Sequence, residues 1–291
     1  MSFQDKTAII TGGGRGLGWA YAAALARAGA NVVISDSGAD RDGSGADTAI
    51  ADHAAAALTR EGHRAIAHGG ALEEEAECQA LVERTLATFS GLDIVIHNAG
   101  WVGYQRIEDA EAAFLARSLS VNVWAPSWLA KYAWPALKVS RAPRIVFTTS
   151  DRAMYLRYGQ KGLGAYAAGK MAQVGLMNAL AFEGAEHGIR ANAVSPVART
   201  RMWGETGEPS DLKPEWVTPG VLYLASERCQ ESGYILRASN GQFSATRFEE
   251  NTGVDYPRDL NRVSAASLDE VACCWAQIKQ AHATGGAHVP G

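Results

Sequence analysis

The 291-residue chain is 47% hydrophobic and 20% charged, a globular composition that argues against disorder as a global description. Its formal charge of -4 offers no basic surface of the kind nucleic acid or acidic lipid rewards, so a small or neutral partner is expected, with no nucleic acid and no membrane. Four cysteines, two of them adjacent at Cys273 and Cys274, make neither a disulfide framework nor a CxxC zinc pattern. They read as reduced thiols of a cytoplasmic protein.

The chain opens on MSFQDKTAII, which enters an apolar strand directly and lacks the features of a secretory signal, so no export is expected. Short β-branched runs then recur between Ala-rich segments: TAIIT (7–11), NVVIS (31–35), RAIA (64–67), DIVIH (93–97), RIVFTT (144–149) and RANAVS (190–195). Nearly continuous apolar strands alternating with helical stretches predict a parallel sheet covered on both faces, a doubly wound Rossmann-type α/β fold. The run AYAAALARAGANVVI is broken by Arg27 and Asn31 well short of the roughly 20 residues that cross a bilayer.

Between the first strand and the first helix, Gly12, Gly14, Gly16 and Gly18 crowd one turn. Glycines there permit a tight turn and close approach to a pyrophosphate, and the helix behind presents unpaired N–H groups and its positive dipole end. Asp36 follows 18 residues after Gly18, at the end of the second strand. Its carboxylate suits ribose hydroxyls and repels a 2'-phosphate, so NAD is expected over NADP. The Gly- and Asp-rich stretch 36–47 reads as an inserted loop.

His53, His63, His68 and the glutamates at 73–75 lie on different predicted elements without ligand spacing, so no metal is expected. Trp124, Trp128 and Trp134 share one helical stretch and read as interface fillers. Within GAYAAGK, Tyr166 and Lys170 project from one helix face a turn apart. They can act together, or be one core aromatic and one solvated amine. Residues 197–215 form a long connection with prolines and glycines that reads as a lid carrying Met202 and Trp203. Strand patterning stops near 250, giving one catalytic domain over 1–250 and an extension over 251–291 with a terminal helix.

Four signals stand in order: TGGGRGLG (11–18), HNAG (97–100), SVNVW (120–124), and the serine, tyrosine and lysine of TTSDRAMYLRYGQKGLGAYAAGK. Over roughly residues 5–240 the chain resembles the short-chain dehydrogenase/reductase family. The resemblance implies a catalytic set of Asn122, Ser150, Tyr166 and Lys170, with Thr149 and Thr148 as alternatives to Ser150. Tyr166 would be the general acid or base. Its ordinary pKa of roughly 10 is too high for that work at neutral pH, and the Lys170 cation and the positive nicotinamide of the oxidised cofactor would together bring it down by about 2 to 3. Lys170 would also bond the nicotinamide ribose, Ser150 would hold the substrate oxygen, and Asn122 would position a water. The implied cofactor contacts are Gly12, Gly14, Arg15, Gly16, Leu17, Gly18, Asp36, Asn98, Ala99, Gly100, Tyr166, Lys170, Pro196 and Thr200.

The chain departs from the family pattern at His97, where a second asparagine is usual, and at Gly70, where an aspartate follows the third strand. It also lacks the usual glycine after Pro196, and Ser150 precedes Tyr166 by sixteen positions, about three more than the common spacing. The inserted loop, the lid and the stretch GVLYLASERCQESGYILRASNGQF are similar to the dehydrogenase part of multifunctional peroxisomal β-oxidation enzymes. That implies a 3-hydroxyacyl-CoA substrate, with a hydroxysteroid or other polycyclic alcohol as alternative, and Arg199, Arg201 and Lys213 as candidates for CoA phosphates. It also implies a homodimer or homotetramer built through helices around 105–138 and 163–187. A non-catalytic dinucleotide sensor is the distant alternative, since a sensor needs none of the four catalytic residues together.

Overall fold

The computed structural model describes residues 2–203, 207 and 209–279. Two compact units follow one another, the first ending at Thr246 and the second starting at Arg247, where sequence patterning had put the division at 250. The first unit is built on a sheet in the order β3-β2-β1-β4-β5-β6-β7-β8. Its strands are β1 (Thr7–Thr11), β2 (Asn31–Ser35), β3 (Ala65–His68), β4 (Ile94–His97), β5 (Arg144–Thr148), β6 (Arg190–Val197), β7 (Ile235–Ser239) and β8 (Gln242–Thr246). All pairings are parallel except β7 with β8.

The expected doubly wound fold is therefore present, with two strands beyond the six read from sequence. Those two form a hairpin whose turn residues Asn240 and Gly241 have φ of 52° and 75°, the left-handed pair a tight hairpin needs.

Side chains alternate across the sheet, so consecutive strand residues feed different layers. Ala8, Ile10, Val32 and Ile34 pack against Tyr21 and Leu25 of α1 (Gly16–Arg27), Leu58 of α2 (Ala49–Arg60) and Leu224 of α8 (Thr218–Ala225). On the other face Ile9, Val33, Val95 and Phe147 meet Leu81 of α3 (Glu75–Phe89), Leu129 and Leu137 of α5 (Ala125–Val139), and Met177 of α7 (Gly164–Glu183). Each fully buried aliphatic or aromatic side chain contributes roughly 1.5–3 kcal/mol, which holds the sheet firmly beneath its loops. Two shorter helices complete this unit, α4 (Ala112–Leu119) and α6 (Asp151–Met154).

Strand order reverses between β1 and β4, because the chain leaves β3 at one edge and returns to pair beside β1. A crevice opens outside the carboxyl ends of strands at such a point, and a cofactor site is expected there. The second unit holds α9 (Leu268–Ile278). Ser267 Oγ caps it by accepting from the Glu270 amide at 3.2 Å, while the Glu270 carboxylate accepts from the Ala266 amide at 2.7 Å. Among the described residues no helix is long and apolar enough to cross a membrane.

Candidate active site

The glycine turn between β1 and α1 is packed against the loop after β4. Gly12 and Gly16 have φ of 59° and 55°, where a side chain is disfavoured. A Cβ on Gly18 would run into the Gly12 carbonyl, and one on Gly12 would lie 3.0 Å from the Ala99 Cα. Asn98 braces this contact, its Nδ2 donating to the carbonyls of Thr11 and Gly12 at 3.2 and 3.1 Å. The first turn of α1 carries no acidic residue and no side-chain cap, so its amides and dipole end stand open to an anion. A dinucleotide pyrophosphate fits this cradle.

Asp36 closes the far side of the turn. Its two carboxylate oxygens accept from the amides of Gly14 at 3.0 Å and Gly38 at 2.9 Å, and the Arg15 guanidinium lies 3.7 Å away. Arg15 and Arg201 both donate to the Ala39 carbonyl, at 3.1 and 2.9 Å, so a residue of the 197–215 segment is tied to the inserted loop. Arg201 therefore sits at the Asp36 corner, while Arg199 pairs with Asp211 at 3.3 Å and Lys213 lies over the Trp216 ring at 6.0 Å. The inserted loop is also held at Asp42, whose carbonyl accepts from Trp101 Nε1 at 2.9 Å, with Arg117 stacked on Trp101 at 5.2 Å.

Gly70 has a local explanation. A side chain there would run into the Glu77 carboxylate and lie 2.6 Å from His68 Nε2, and those two groups are themselves 3.2 Å apart. The space an aspartate would need is filled by this pair. Burial pulls the His68 pKa down against the opposing pull of Glu77.

His97 is buried, and its Nδ1 faces Thr11 Oγ1 at 3.1 Å. That hydroxyl already accepts from the amides of Asn98 and Ala99, so its proton goes to the imidazole and the ring carries its own proton on Nε2. Burial first, and the nearby Lys170 second, push the His97 pKa down to about 3. It is a neutral brace for the turn.

At the other end of the crevice Tyr166 and Lys170 rise from α7, with the amine 5.9 Å from the phenol ring centroid. Lys170 is buried and donates from Nζ to the Thr148 carbonyl at 2.8 Å. Burial lowers its pKa to about 7. Burial also raises the Tyr166 pKa, opposed by a hydrogen bond with Ser150 and by the charge of Arg152. Ser150 Oγ caps α6 by accepting from the Arg152 amide at 3.2 Å. The Thr149 hydroxyl is committed to the Lys170 carbonyl at 2.8 Å and the Thr148 hydroxyl is buried without a partner, while Ser150 is the hydroxyl that bonds Tyr166.

Asn122 lies in a π-helical turn, Ser120–Trp124, between α4 and α5. The wider turn sets its Nδ2 on the carbonyls of Ser118 and Trp101 at 3.1 and 3.0 Å, and its own carbonyl accepts from Gln173 Nε2 at 3.0 Å. Asn122 Oδ1 is buried without a partner, close to the position a Cβ on Gly100 would take, and Lys170 Nζ lies near that same point. An orphan acceptor beside a buried amine suits one ordered water. Trp124 on the same turn is half-exposed and stacks on Trp128 at 5.9 Å, so it fills no interface within this unit.

One cavity of about 530 Å³ joins the two ends. Gly12, Arg15, Gly16, Leu17, Asp36, Asn98, Ala99 and Gly100 line it, and so do Ser150, Tyr166, Lys170, Pro196, Thr200 and Met202. Gly14, Gly18 and Asn122 stand behind that wall. The Trp203 side chain and residues 204–206 and 208 of the lid segment lie outside the described residues. Arg152 and Tyr104 also line the cavity and went unnoticed in the sequence, because a lone arginine and a lone tyrosine in loops carry no spacing signal.

A glycine turn open to an anion, the Asp36 carboxylate beside it, and a half-buried Tyr166 with a buried Lys170 along one crevice suit a dinucleotide-binding α/β oxidoreductase. Comparison with known proteins narrows this. Residues 6–211 match the family model for short chain dehydrogenase. A protein of Mycobacterium tuberculosis described as a short-chain type dehydrogenase/reductase is 32% identical over 278 residues, 94% of each chain. Peroxisomal multifunctional enzyme type 2 of Mus musculus is 35% identical over 260 residues, which are 87% of this chain and 34% of that enzyme, so the chain spans about a third of its length. The crystal structure of a short chain dehydrogenase from Mycobacterium avium superposes with a TM-score of 0.80 at 27% identity, covering 95% of each chain. The chain belongs to the short-chain dehydrogenase family and resembles the dehydrogenase part of the peroxisomal enzymes. It is an oxidoreductase acting on CH–OH groups, a chemistry that employs a nicotinamide dinucleotide.

Proposed function

We propose that the chain is an NAD-dependent dehydrogenase that interconverts a bulky secondary alcohol and its ketone, with a 3-hydroxyacyl-CoA as the first substrate class. The observation that carries this reading is the single cavity running from the glycine turn and Asp36 to Ser150, Tyr166 and Lys170. Gly12, Gly16 and the open amides of α1 would hold the pyrophosphate, and Asp36 the adenosine ribose. When bound, the nicotinamide supplies the hydride acceptor or donor.

In the oxidative direction Tyr166 takes the substrate hydroxyl proton while Ser150 holds the same oxygen. Burial raises the Tyr166 pKa, so the phenolate needs cationic help. Arg152 acts on the phenol in that sense, and Lys170 on the same helix face adds to it while protonated, its pKa near 7 letting it take and release protons in the working range. Asn122 Oδ1 holds the water that links Lys170 onward. The preference for NAD is supported by the Asp36 carboxylate, which a 2'-phosphate would approach at a cost in repulsion. The peroxisomal relatives support the acyl-CoA class.

The enzyme acts in the cytoplasm as a homodimer or homotetramer joined through the α4, α5 and α7 region, a reading supported by exposed Leu119, Trp124 and Phe182. The catalytic segment takes in residues up to about 250, with 197–215 as its lid.

Initial rates with NAD and NADP on a hydroxyacyl-CoA, its CoA-free alcohol, a polycyclic alcohol and 2-propanol test the proposal. An apolar body covering an additional 100 Å² gains about 2.5 kcal/mol before ordering costs, so the bulky alcohols should far outrun 2-propanol. A CoA advantage that shrinks with added salt supports the thioester class. Equal efficiency with and without CoA overturns it, and higher efficiency on NADP overturns the cofactor assignment.

A further inference from the structure

The catalytic end of the cavity carries a cation, Arg152, whose charge favours the Tyr166 phenolate but which is no part of the acid–base set itself. Arg152 follows Ser150 by two residues, and its guanidinium donates from Nη1 to the hydroxyl of the exposed Tyr104 at 3.3 Å. Its side chain is half-buried and lines the cavity beside Ser150 and Tyr166. Among the described residues it makes no ion pair, although Asp151 is its neighbour in sequence.

Asp151 is fully engaged elsewhere. Its carboxylate accepts from Ser195 Oγ at 2.8 Å and from Arg237 Nε and Nη2 at 3.0 and 2.7 Å, and Arg237 is itself stacked over Tyr155 at 4.8 Å. The acid is turned toward β6 and β7 and does not neutralise Arg152. Asp36, the other carboxylate most firmly held along this cavity, sits at the opposite end with Arg15. A guanidinium without a counter-charge that lines the cavity beside Ser150 and Tyr166 can take an electron-rich acceptor on the substrate.

We propose that Arg152 is a specificity residue that binds an acyl oxygen of the substrate, selecting alcohols whose carbinol carbon lies one carbon away from a carbonyl or carboxylate carbon. This inference rests on the dehydrogenase reading and adds to it the position of the acyl group. In a 3-hydroxyacyl chain a single methylene separates the carbinol and acyl carbons. With the hydroxyl held by Ser150 and Tyr166, the acyl oxygen lies within a few ångströms of that hydroxyl, and Arg152 lines this end of the cavity. A thioester carbonyl and a free carboxylate offer the same acceptor chemistry, and a fork of N–H donors suits both.

The test compares wild type with Arg152→Gln and Arg152→Lys at saturating cofactor on three substrates of matched length: a 3-hydroxyacyl-CoA, the free 3-hydroxy acid, and a plain secondary alcohol. Arg152→Gln keeps the backbone amide that bonds Ser150, and thermal midpoints establish that each variant is folded. Removing the Arg152 charge from Tyr166 lowers kcat/KM on all three substrates, and the expected result is a further loss of about tenfold or more on the acyl substrate that wild type prefers, measured relative to the plain alcohol. Arg152→Lys should recover part of the loss. A preference for the thioester or for the free acid in wild type tells which acyl form is bound. Wild type active on the free acid but not on the thioester removes the CoA reading and leaves Arg152 standing. Equal losses on all three substrates, or an unchanged acyl preference in Arg152→Gln, overturn the Arg152 assignment while the dehydrogenase reading stands. A wild type that turns over the plain alcohol but neither acyl form overturns the Arg152 assignment and the acyl-CoA substrate class, while the dehydrogenase reading stands.

Discussion

Lys170 is buried, and its pKa near 7 makes the stability of the cofactor-free protein depend on pH in a way that one substitution removes. In the unfolded chain the amine keeps its ordinary value of roughly 10.4 and stays protonated up to that pH. In the folded protein it sheds its proton above about pH 7. Between these values the unfolded state binds more protons, so stability rises with pH across that window. Below pH 7 both states are protonated, and the full cost of burying the charge is present. From pH 6 to pH 9 the gain amounts to roughly 2.5 kcal/mol, or about 5 to 10 °C in the thermal midpoint. Lys170→Met keeps the aliphatic stem and loses the titration. Midpoints of both proteins, measured without cofactor at pH 6, 7.5 and 9, should diverge in favour of wild type as pH rises, because the other groups contribute nearly equally and His97, which Lys170 also affects, stays neutral through burial across this range. Parallel curves would show that the amine keeps an ordinary pKa where it lies, and would remove the physical basis for its neutral-pH proton exchange.

Tyr166→Phe keeps the ring and deletes the titrating hydroxyl, so turnover should fall by at least about a hundredfold while NAD affinity, followed by fluorescence titration, stays within about threefold. Near-normal turnover would remove Tyr166 from the chemistry. Asp36→Ala removes the ribose partner and the repulsion of a 2'-phosphate together. Each charge-assisted bond is worth roughly 1.5 to 3 kcal/mol, so the ratio of NAD to NADP efficiency should fall by about tenfold or more, and Arg15 nearby should help NADP. An unchanged ratio would place cofactor choice elsewhere.

The sheet was legible because the buried parallel strands are short apolar runs set between longer Ala-rich helical segments, and the observed bounds of β1 to β6 fall within a residue or two of those runs. The β7–β8 hairpin was missed as strands because β8 is exposed over most of its length and carries little apolar signal. The Asn240–Gly241 dipeptide between them was the available cue. In the crevice, the glycines, Asp36, Tyr166 and Lys170 announce themselves through spacing within one element or one turn. What stayed hidden depends on distant chain segments meeting. Arg201 reaches Ala39 from 162 residues away, Arg237 reaches Asp151 from 86, and the crowding that requires Gly70 comes from Glu77 on a helix. Pairings of that kind follow from the fold and have no local period to read.

The π-helical turn at Ser120–Trp124 ties the chemistry to the core through gearing. It holds one residue more than an α-helical turn would, and everything beyond it inherits the phase this sets. Deleting a residue there would rotate α5 by about 100° against α4. Leu129, Ala133 and Leu137 would then turn off the sheet that buries them. Adding one would swing them the opposite way, and either change would carry Asn122 off the carbonyls of Ser118 and Trp101. Insertions and deletions, the ordinary means by which loops drift, are thus closed to this stretch. Over evolutionary time it can change its letters but not its length.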